Sequence, residues 1–269
     1  MKNHYLLIFA GLVILYSCKS ESPVVPENNQ NGYIKLYTIE GSNAKFELYS
    51  ATANKLVTGY NDLGFKVFVN NQEKTDGFFK FYPKMYHFVG SNMHSSPTSP
   101  SFLYDQSKSM FTGYASFFMV SDTSSNWYGF FNYNDAVSID SSLFIVGSVS
   151  FSQVRYFVDY NAGNSYYMTL VSPFYPKQGP NVFKCILHLS NDDINFAQID
   201  NAEMFIRPWM EAMGHGSSNN VHPTYKGGGI YEGTANFNMS GVWYVYDSIK
   251  VNGNVITPAP LPKFIFDVP

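Results

Sequence analysis

The amino-acid sequence predicts an all-β protein built from two tandem antiparallel β-sandwich domains. Three observations lead to this fold class. The chain is rich in aromatic residues (18%) and poor in charged residues (14%). Short runs of alternating apolar and polar residues recur between turns of Asn, Gly, Asp and Ser, which is the pattern of half-buried strands. A set of landmark residues also occurs twice at one constant spacing, which indicates two copies of a structural unit.

The first 31 residues have the pattern of a targeting segment and a tether. Lys2 supplies a positive charge, an apolar run over residues 5–16 follows, and Cys18 stands just after it. The run is shorter than the roughly 20 residues that a membrane-spanning helix needs, so residues 1–17 are predicted to be a signal peptide. The small residue before Cys18 matches a bacterial lipobox, in which the cysteine is lipidated. Residues 18–31 are therefore predicted to be the lipidated cysteine and a short disordered tether.

These features predict a lipoprotein of the cell envelope that is held at the membrane through its N-terminal lipid anchor. Lys19, directly after the cysteine, favours an outer-membrane address, and both the periplasmic and the outer face stay open. The chain carries 17 Lys and Arg against 20 Asp and Glu. This mildly acidic balance excludes a strongly basic nucleic-acid-binding protein.

The strands follow in order after the tether. They share a period-2 alternation rich in Tyr, Phe and Val, and no window has a helical stripe. The clearest runs are 33–37, 45–49, 65–69, 78–82, 155–158, 166–170 and 242–246. Asn70-Asn71 and Asn252-Gly253 are predicted hairpin turns, because Asn and Gly tolerate the positive φ that such turns need. Cys185 lies in another alternating run and is predicted to be a buried small side chain rather than a nucleophile.

The repeat relates landmark residues of the two halves at an offset of 120 positions. The pairs are Met93 and Met213, Gly113 and Gly233, Phe117 and Phe237, and Met119 and Met239. A tryptophan closes each copy, and the second copy reaches it four residues sooner. Each copy has about the size of an immunoglobulin-like sandwich of roughly 100 residues. We therefore predict a first immunoglobulin-like sandwich over 32–138 and a second over 139–269.

Both copies contain a cluster of methionine and histidine. Met210, Met213 and His215 form the cluster of the second copy, and Met93 and His94 form a weaker twin in the first. Thioether sulfur combined with imidazole nitrogen selects soft metals, Cu(I) above all. The clusters therefore predict Cu(I)-binding loops. A purely architectural role stays open as the alternative, with the methionines filling the end of the core.

The second cluster also resembles a known family. Met210 and Met213, the Gly-His-Gly run centred on His215 and the closing Trp243 are similar to the core of YtkA-like (FixH-related) domains. The resemblance covers residues 150–269 well and the first copy more weakly, because the first copy lacks the glycine before its histidine. It implies small immunoglobulin-like sandwiches in envelope proteins linked to copper handling. The lipobox and the aromatic-rich, Asn-rich composition are similar to Bacteroidota-type envelope lipoproteins.

The sequence does not predict an enzyme. It contains no nucleophile elbow, phosphate-binding loop or zinc-protease motif, so the expected function is binding. Two other functions stay open: a surface glycan-binding or adhesion module, and a structural accessory module in contact with envelope proteins. A glycan site would stack sugars on exposed aromatic rings. The candidate rings are Tyr86, Trp127, Tyr128, Trp209 and Tyr225.

Overall fold

The computed structural model describes residues 29–90 and 92–269, and it is all-β, as predicted. The signal peptide expected over 1–17 and the lipidation expected at Cys18 lie outside the described residues. The strands of the first half are β1 (Asn29–Gln30), β2 (Tyr33–Glu40), β3 (Ala44–Ser50), β4 (Leu56–Val57), β5 (Gly59–Val69), β6 (Gln72–Lys74), β7 (Phe78–His87), β8 (Met93–Ser95), β9 (Phe102–Asp105), β10 (Met110–Phe117), β11 (Ser125–Tyr133), β12 (Val137–Phe144) and β13 (Val146–Gly147).

The second half continues with strands and one turn of helix. Its strands are β14 (Val154–Asp159), β15 (Asn164–Ser172), β16 (Gly179–Leu189), β17 (Ala197–Gln198), β18 (Ala202–Met210), β19 (His215–Gly216), β20 (Val221–Gly227), β21 (Ile230–Phe237), β22 (Gly241–Val251), β23 (Asn254–Val255) and β24 (Lys263–Val268). A 3₁₀ turn over Glu211–Met213 separates β18 from β19. Among the described residues, no helix is long and apolar enough to cross a bilayer.

An 11-stranded sheet forms the body of the first half. Its strands run in the order β1-β2-β3-β5-β10-β9-β7-β11-β12, with β6 against β5 and β8 against β7. The sheet surrounds a core dominated by phenylalanine, in which the Phe65 and Phe79 rings lie 4.5 Å apart and Phe81 stacks on Phe131 at 5.3 Å. Side chains alternate between the two faces of a strand, so the aromatic alternation of the sequence is what fills this core.

Two antiparallel sheets form the second half. One sheet has the order β14-β15-β16-β21-β20 with β17 against β16, and the other has the order β19-β18-β22-β23 with β24 against β22. Their inner faces share one hydrophobic core. Cys185 is fully buried in this core, as predicted, and burial raises the pKa of its thiol. The thiol therefore behaves as a small apolar side chain.

The two halves repeat the same strand register. In the first half β10 pairs with β5, and Phe117 lies opposite Gly59. In the second half β21 pairs with β16, and Phe237 lies opposite Gly179. The offset of 120 positions found in the sequence therefore relates residues that occupy equivalent places in hydrogen-bonded strand pairs.

A buried asparagine makes the same local bonds in both halves. The Asn61 side chain accepts the backbone N–H of Val57 at 2.9 Å and donates to the Val57 carbonyl at 2.7 Å. Asn181 bonds the backbone of Lys177 in the same way, at 2.9 and 2.7 Å. These side chains satisfy backbone groups of the segment just before their own strands, which accounts for a polar residue at a buried position.

The strand pairing changes from one half to the other between Gly147 and Val154. Strand β12 pairs with β11, and β13 pairs in parallel with β4, so both belong to the first half. The sequence-based division instead separates 138 from 139. The polar stretch around that division begins as a tight turn, with positive φ at Asn134 and Asp135, and continues as an edge strand.

Both predicted hairpin turns are confirmed. Asn70-Asn71 joins β5 to β6 with φ of 51° and 62°, and Asn252-Gly253 joins β22 to β23 with φ of 51° and 79°. A third turn of this kind, Asn31-Gly32, joins β1 to β2. Strand pairing therefore begins at Asn29, within the segment expected to be a tether over 18–31.

Candidate functional site

The Met-His cluster of the second half is built by a short connection between two paired strands. Strand β18 ends at Met210, the 3₁₀ turn follows, and Gly214 reverses the chain at a φ of 65°. The Gly214 N–H donates to the Met210 carbonyl at 2.9 Å. His215 then pairs directly with Met210 across the ladder. Residues opposite each other in an antiparallel pair project to the same face, so the thioether and the imidazole are neighbours.

The members of this cluster differ in their exposure. The Met210 side chain is buried in the core of the second half at 3% exposure, and His215 is half-buried. Met213 lies on the 3₁₀ turn and is 61% exposed. The structure thus brings Met210 and His215 together and leaves Met213 on the connecting turn, beside the pair in sequence and open to solvent.

The hydrogen bonds of His215 define its tautomer. Its Nδ1 lies 2.9 Å from the carbonyl oxygen of Gly216. A carbonyl oxygen only accepts, so Nδ1 carries the proton, and Nε2 of the neutral ring keeps its lone pair. A metal-binding histidine is commonly oriented in this way, with the second ring nitrogen donating to a carbonyl. The ring also packs edge-on against Trp243, with centroids 5.8 Å apart.

The cluster of the first half repeats this arrangement. His94 pairs with Met85 across β7 and β8, and its Nδ1 lies 3.0 Å from the Ser95 carbonyl. The ring packs edge-on against Trp127 at 5.2 Å. Its Nε2 is buried and has no hydrogen-bond partner among the described residues. Burial lowers the pKa of His94, so this imidazole is held neutral.

The methionine opposite His94 is not the one expected from the sequence. The sequence pairs Met93 with His94, but Met93 lies opposite Tyr86, and the fully buried Met85 occupies the place that Met210 has in the second half. The connection between Met85 and His94 is longer than that between Met210 and His215, so no constant offset relates the two methionines. The His87 ring is a further neighbour, 5.2 Å from that of His94.

The tryptophans that close the two copies support both clusters in the same way. The Trp127 indole N–H donates to the Met119 carbonyl at 3.0 Å, and the Trp243 indole N–H donates to the Met239 carbonyl at 3.0 Å. Both rings are fully buried. Trp127 was also a candidate for an exposed sugar-stacking ring, and its complete burial excludes it from that role.

The donor chemistry of both clusters fits a soft metal ion. Each cluster offers an imidazole that turns Nδ1 to a backbone carbonyl and a thioether sulfur on the same strand face, and these are ligands that Cu(I) prefers. In the second half, the exposed Met213 stands three residues from the buried thioether of Met210. Among the described residues, no group of three or more His, Cys, Asp and Glu side chains is placed to hold a metal ion.

Comparison with known proteins supports part of the family resemblance. Residues 160–246 match the model of the family described as YtkA-like. This match includes the cluster of the second half and confirms the resemblance for that region. No curated protein matches the chain.

Two of the matching solved structures are bacterial proteins. One is described as "FdeC, a Novel Broadly Conserved Escherichia coli Adhesin", with 11% identity and a TM-score of 0.27 over 85% of this chain. The present chain spans 65% of that adhesin chain. The other, a conserved domain protein from Bacillus anthracis, has 11% identity and a TM-score of 0.31, and the match covers 90% of this chain and 93% of that one.

Proposed function

We propose that the chain is a non-catalytic lipoprotein of the cell envelope that binds Cu(I) through its Met-His clusters. In this proposal residues 1–17 are the signal peptide, Cys18 carries the lipid anchor at the outer membrane, and the body consists of two tandem YtkA-like repeats. The repeated strand register supports the tandem arrangement, because Gly59 and Gly179 occupy equivalent positions opposite Phe117 and Phe237.

The observation that best supports this proposal is that one histidine in each half makes the same hydrogen bond and faces the same kind of neighbour. His94 and His215 each direct Nδ1 to the carbonyl of the next residue, which leaves Nε2 as the free ligand atom. Each stands opposite a buried methionine, Met85 or Met210. An imidazole whose Nε2 has no hydrogen-bond partner among the described residues, beside a thioether, is suited to a soft cation that needs few ligands.

The second half is the better candidate for the working site. His215 is half-buried and Met213 is 61% exposed, so an ion can approach from solvent. In the first half Nε2 of His94 is buried beneath neighbouring aromatic rings, one of them Phe118 at a centroid distance of 5.0 Å. We therefore assign Met210, Met213 and His215 as the ligands of the accessible site, and His94 with Met85 or Met93 as a closed twin.

Titration with Cu(I) against a chromophoric chelator tests the assignment on the chain without residues 1–18. We expect the wild-type protein to take one equivalent of Cu(I) from the chelator. The double variant Met213→Leu/His215→Ala should lose this binding, because it removes two of the three assigned donors while Leu preserves the bulk of Met.

A matched double variant controls for nonspecific loss. Met119→Leu/His222→Ala also removes one thioether and one imidazole, from exposed positions outside the cluster, and it should bind as the wild type does. Equal Cu(I) binding by the wild type and both double variants would contradict the assignment of Met210, Met213 and His215 as ligands. Absence of binding by the wild type would reduce both clusters to packing elements of the loops.

A further inference from the structure

A cleft lies where the two halves meet, and it borders the Met-His cluster of the first half, because Ser95 both lines the cleft and bonds His94 through its carbonyl. Its volume is about 600 Å³, and its walls are Lys80–Pro83 of β7, the segment 95–100 and the loop 189–197. The first two belong to the first half and the loop belongs to the second. A cleft of this size at the junction of two structural units is a common place for a small-molecule site.

Direct bonds between the halves hold the walls in place. The Ser95 N–H donates to the carbonyl of Asp193 at 2.7 Å, next to the cleft. Deeper in the junction, the Ser116 and Thr169 hydroxyls lie 2.6 Å apart and both are fully buried. The first half is thus bonded both to the loop 189–197 and to strand β15 of the second half.

Both charged side chains of the cleft already have partners within the protein. Lys80 pairs with Asp135 at 2.8 Å. The Asp192 carboxylate accepts the backbone N–H groups of Ile194 and Asn195 at 2.9 and 2.8 Å, and these bonds lower its pKa to about 2. Among the described residues, Lys80 is the one cationic side chain of the lining and already has a carboxylate partner, which argues against a phosphate or a nucleic acid as the ligand.

Neutral hydrogen-bonding groups remain available in the same cleft. The Ser96 hydroxyl is buried, with the residue 3% exposed, and it has no partner among the described residues. The Ser99 hydroxyl accepts the Tyr114 N–H at 2.9 Å and keeps its own proton to donate. Asn195 donates its amide to Asp192 and keeps its carbonyl oxygen as an acceptor. The cleft therefore offers both donors and acceptors without net charge.

An open aromatic ring completes the cleft. Tyr82 is 47% exposed on the cleft wall, and its ring has no aromatic stacking partner among the described residues. A flat apolar surface beside hydroxyl and amide groups with hydrogen-bonding capacity left suits a ring with one apolar face and a rim of hydroxyls, since each ligand hydroxyl both donates and accepts. We propose that this cleft binds a neutral saccharide. None of the Met and His side chains assigned to the copper sites lines this cleft.

Isothermal titration with neutral hexaoses tests this site. The mature protein, purified in a detergent that contains no sugar, is titrated with cellohexaose, xylohexaose, maltohexaose and mannohexaose. We expect saturable binding of at least one of the four. Ser96→Ala should weaken it at least about fivefold, because the ligand loses a buried hydrogen bond that no protein group replaces. The fold should tolerate this change, since the hydroxyl has no protein partner.

Three further variants complete the test. Tyr82→Ala should abolish measurable binding, whereas Tyr160→Ala, which removes an equally large exposed tyrosine outside the cleft, should leave it unchanged. His215→Ala should bind the hexaose as the wild type does, which separates this site from the proposed copper site. Failure of all four hexaoses to bind, or binding that Ser96→Ala and Tyr82→Ala leave intact, would overturn the proposal.

Discussion

At the residue scale, Asp247 is the most unusual side chain of the second core. It is fully buried, and neither carboxyl oxygen has a hydrogen-bond partner among the described residues. Burial raises its pKa well above the usual value, and the charge of the nearby Arg155 opposes this rise only in part. The carboxyl is therefore neutral in the folded protein over a pH range where it is ionised in the unfolded chain.

The substitution Asp247→Asn should stabilise the protein at pH 7. Because the pKa of Asp247 is higher in the folded protein, its contribution to the free energy of unfolding is fully present below about pH 4, its pKa in the unfolded chain. This contribution is lost as the pH rises toward the pKa of the folded protein. The amide resembles the protonated acid and does not ionise. We expect urea denaturation to show a gain of about 1–3 kcal/mol at pH 7 and almost none at pH 3.

The exposed Asp267→Asn is the matched control and should change little at either pH. A loss of stability in Asp247→Asn at pH 7 would contradict the neutral state and indicate an ionised carboxylate paired with Arg155. The residue was recognisable in the sequence, because Trp243, Val245, Asp247 and Ile249 occupy one face of a strand. What the sequence left open was whether a partner satisfies the carboxyl.

At the element scale, the repeated glycines Gly113 and Gly233 have different neighbours on strands β10 and β21. A Cβ at Gly233 would lie 2.4 Å from the backbone oxygen of Val221 on the adjacent strand β20. A Cβ at Gly113 would lie 2.7 Å from side-chain atoms of Phe102 and Ser99. The repeated glycine therefore lies against backbone atoms in the second copy and against side-chain atoms in the first.

The two alanine variants should differ in stability for this reason. Gly233→Ala forces two paired strands apart and should lower the free energy of unfolding by about 2–4 kcal/mol. Gly113→Ala requires only side chains to shift and should cost about 1–2 kcal/mol. Thermal unfolding of both variants measures the difference. A larger loss at Gly113 would show that its buried aromatic neighbour cannot move and that this comparison of neighbours is wrong.

Elements were predictable to different degrees. The alternating runs and the two Asn-based hairpins follow from local chemistry, and the structure confirms them. The pairing of Met85 with His94 does not follow from local chemistry. It depends on where β8 folds back along β7, and the length of that connection differs from that in the second half. A fixed offset in sequence therefore does not identify Met85 as the methionine opposite His94.

At the scale of the whole molecule, the halves meet through a buried polar network. The Tyr114 hydroxyl of the first half accepts a bond from Gln198 at 2.8 Å and lies 2.9 Å from Nε2 of His188 in the second half. His188 is fully buried, and its burial lowers its pKa to about 3. Protonating it would place an uncompensated charge between the halves.

Acid should therefore destabilise the protein through His188. The unfolded chain takes up this proton near pH 6.5 and the folded protein only near pH 3, so stability is complete above about pH 6.5 and is lost as the pH falls toward 3. Urea denaturation at pH 7 and pH 5 should show that wild type loses about 2 kcal/mol more than His188→Gln over this interval.

The substitution His222→Gln changes an exposed histidine and should retain the loss seen in wild type. An identical pH dependence of wild type and His188→Gln would exclude His188 as the titrating group. The network itself was not visible in the sequence, because Tyr114, His188 and Gln198 are far apart in the chain and come together only when the halves dock.

The sequence by itself determined the all-β class, the repeated landmarks and the YtkA-like region, because strand alternation, turn chemistry and motif spacing are local properties of the chain. Tertiary structure alone decided which methionine faces each histidine, that Met213 is exposed while Met210 is buried, and that a cleft lies between the halves. These features depend on strand register and on the docking of distant segments. Both are set by the packing of entire sheet faces against each other, and a short stretch of sequence does not determine that packing.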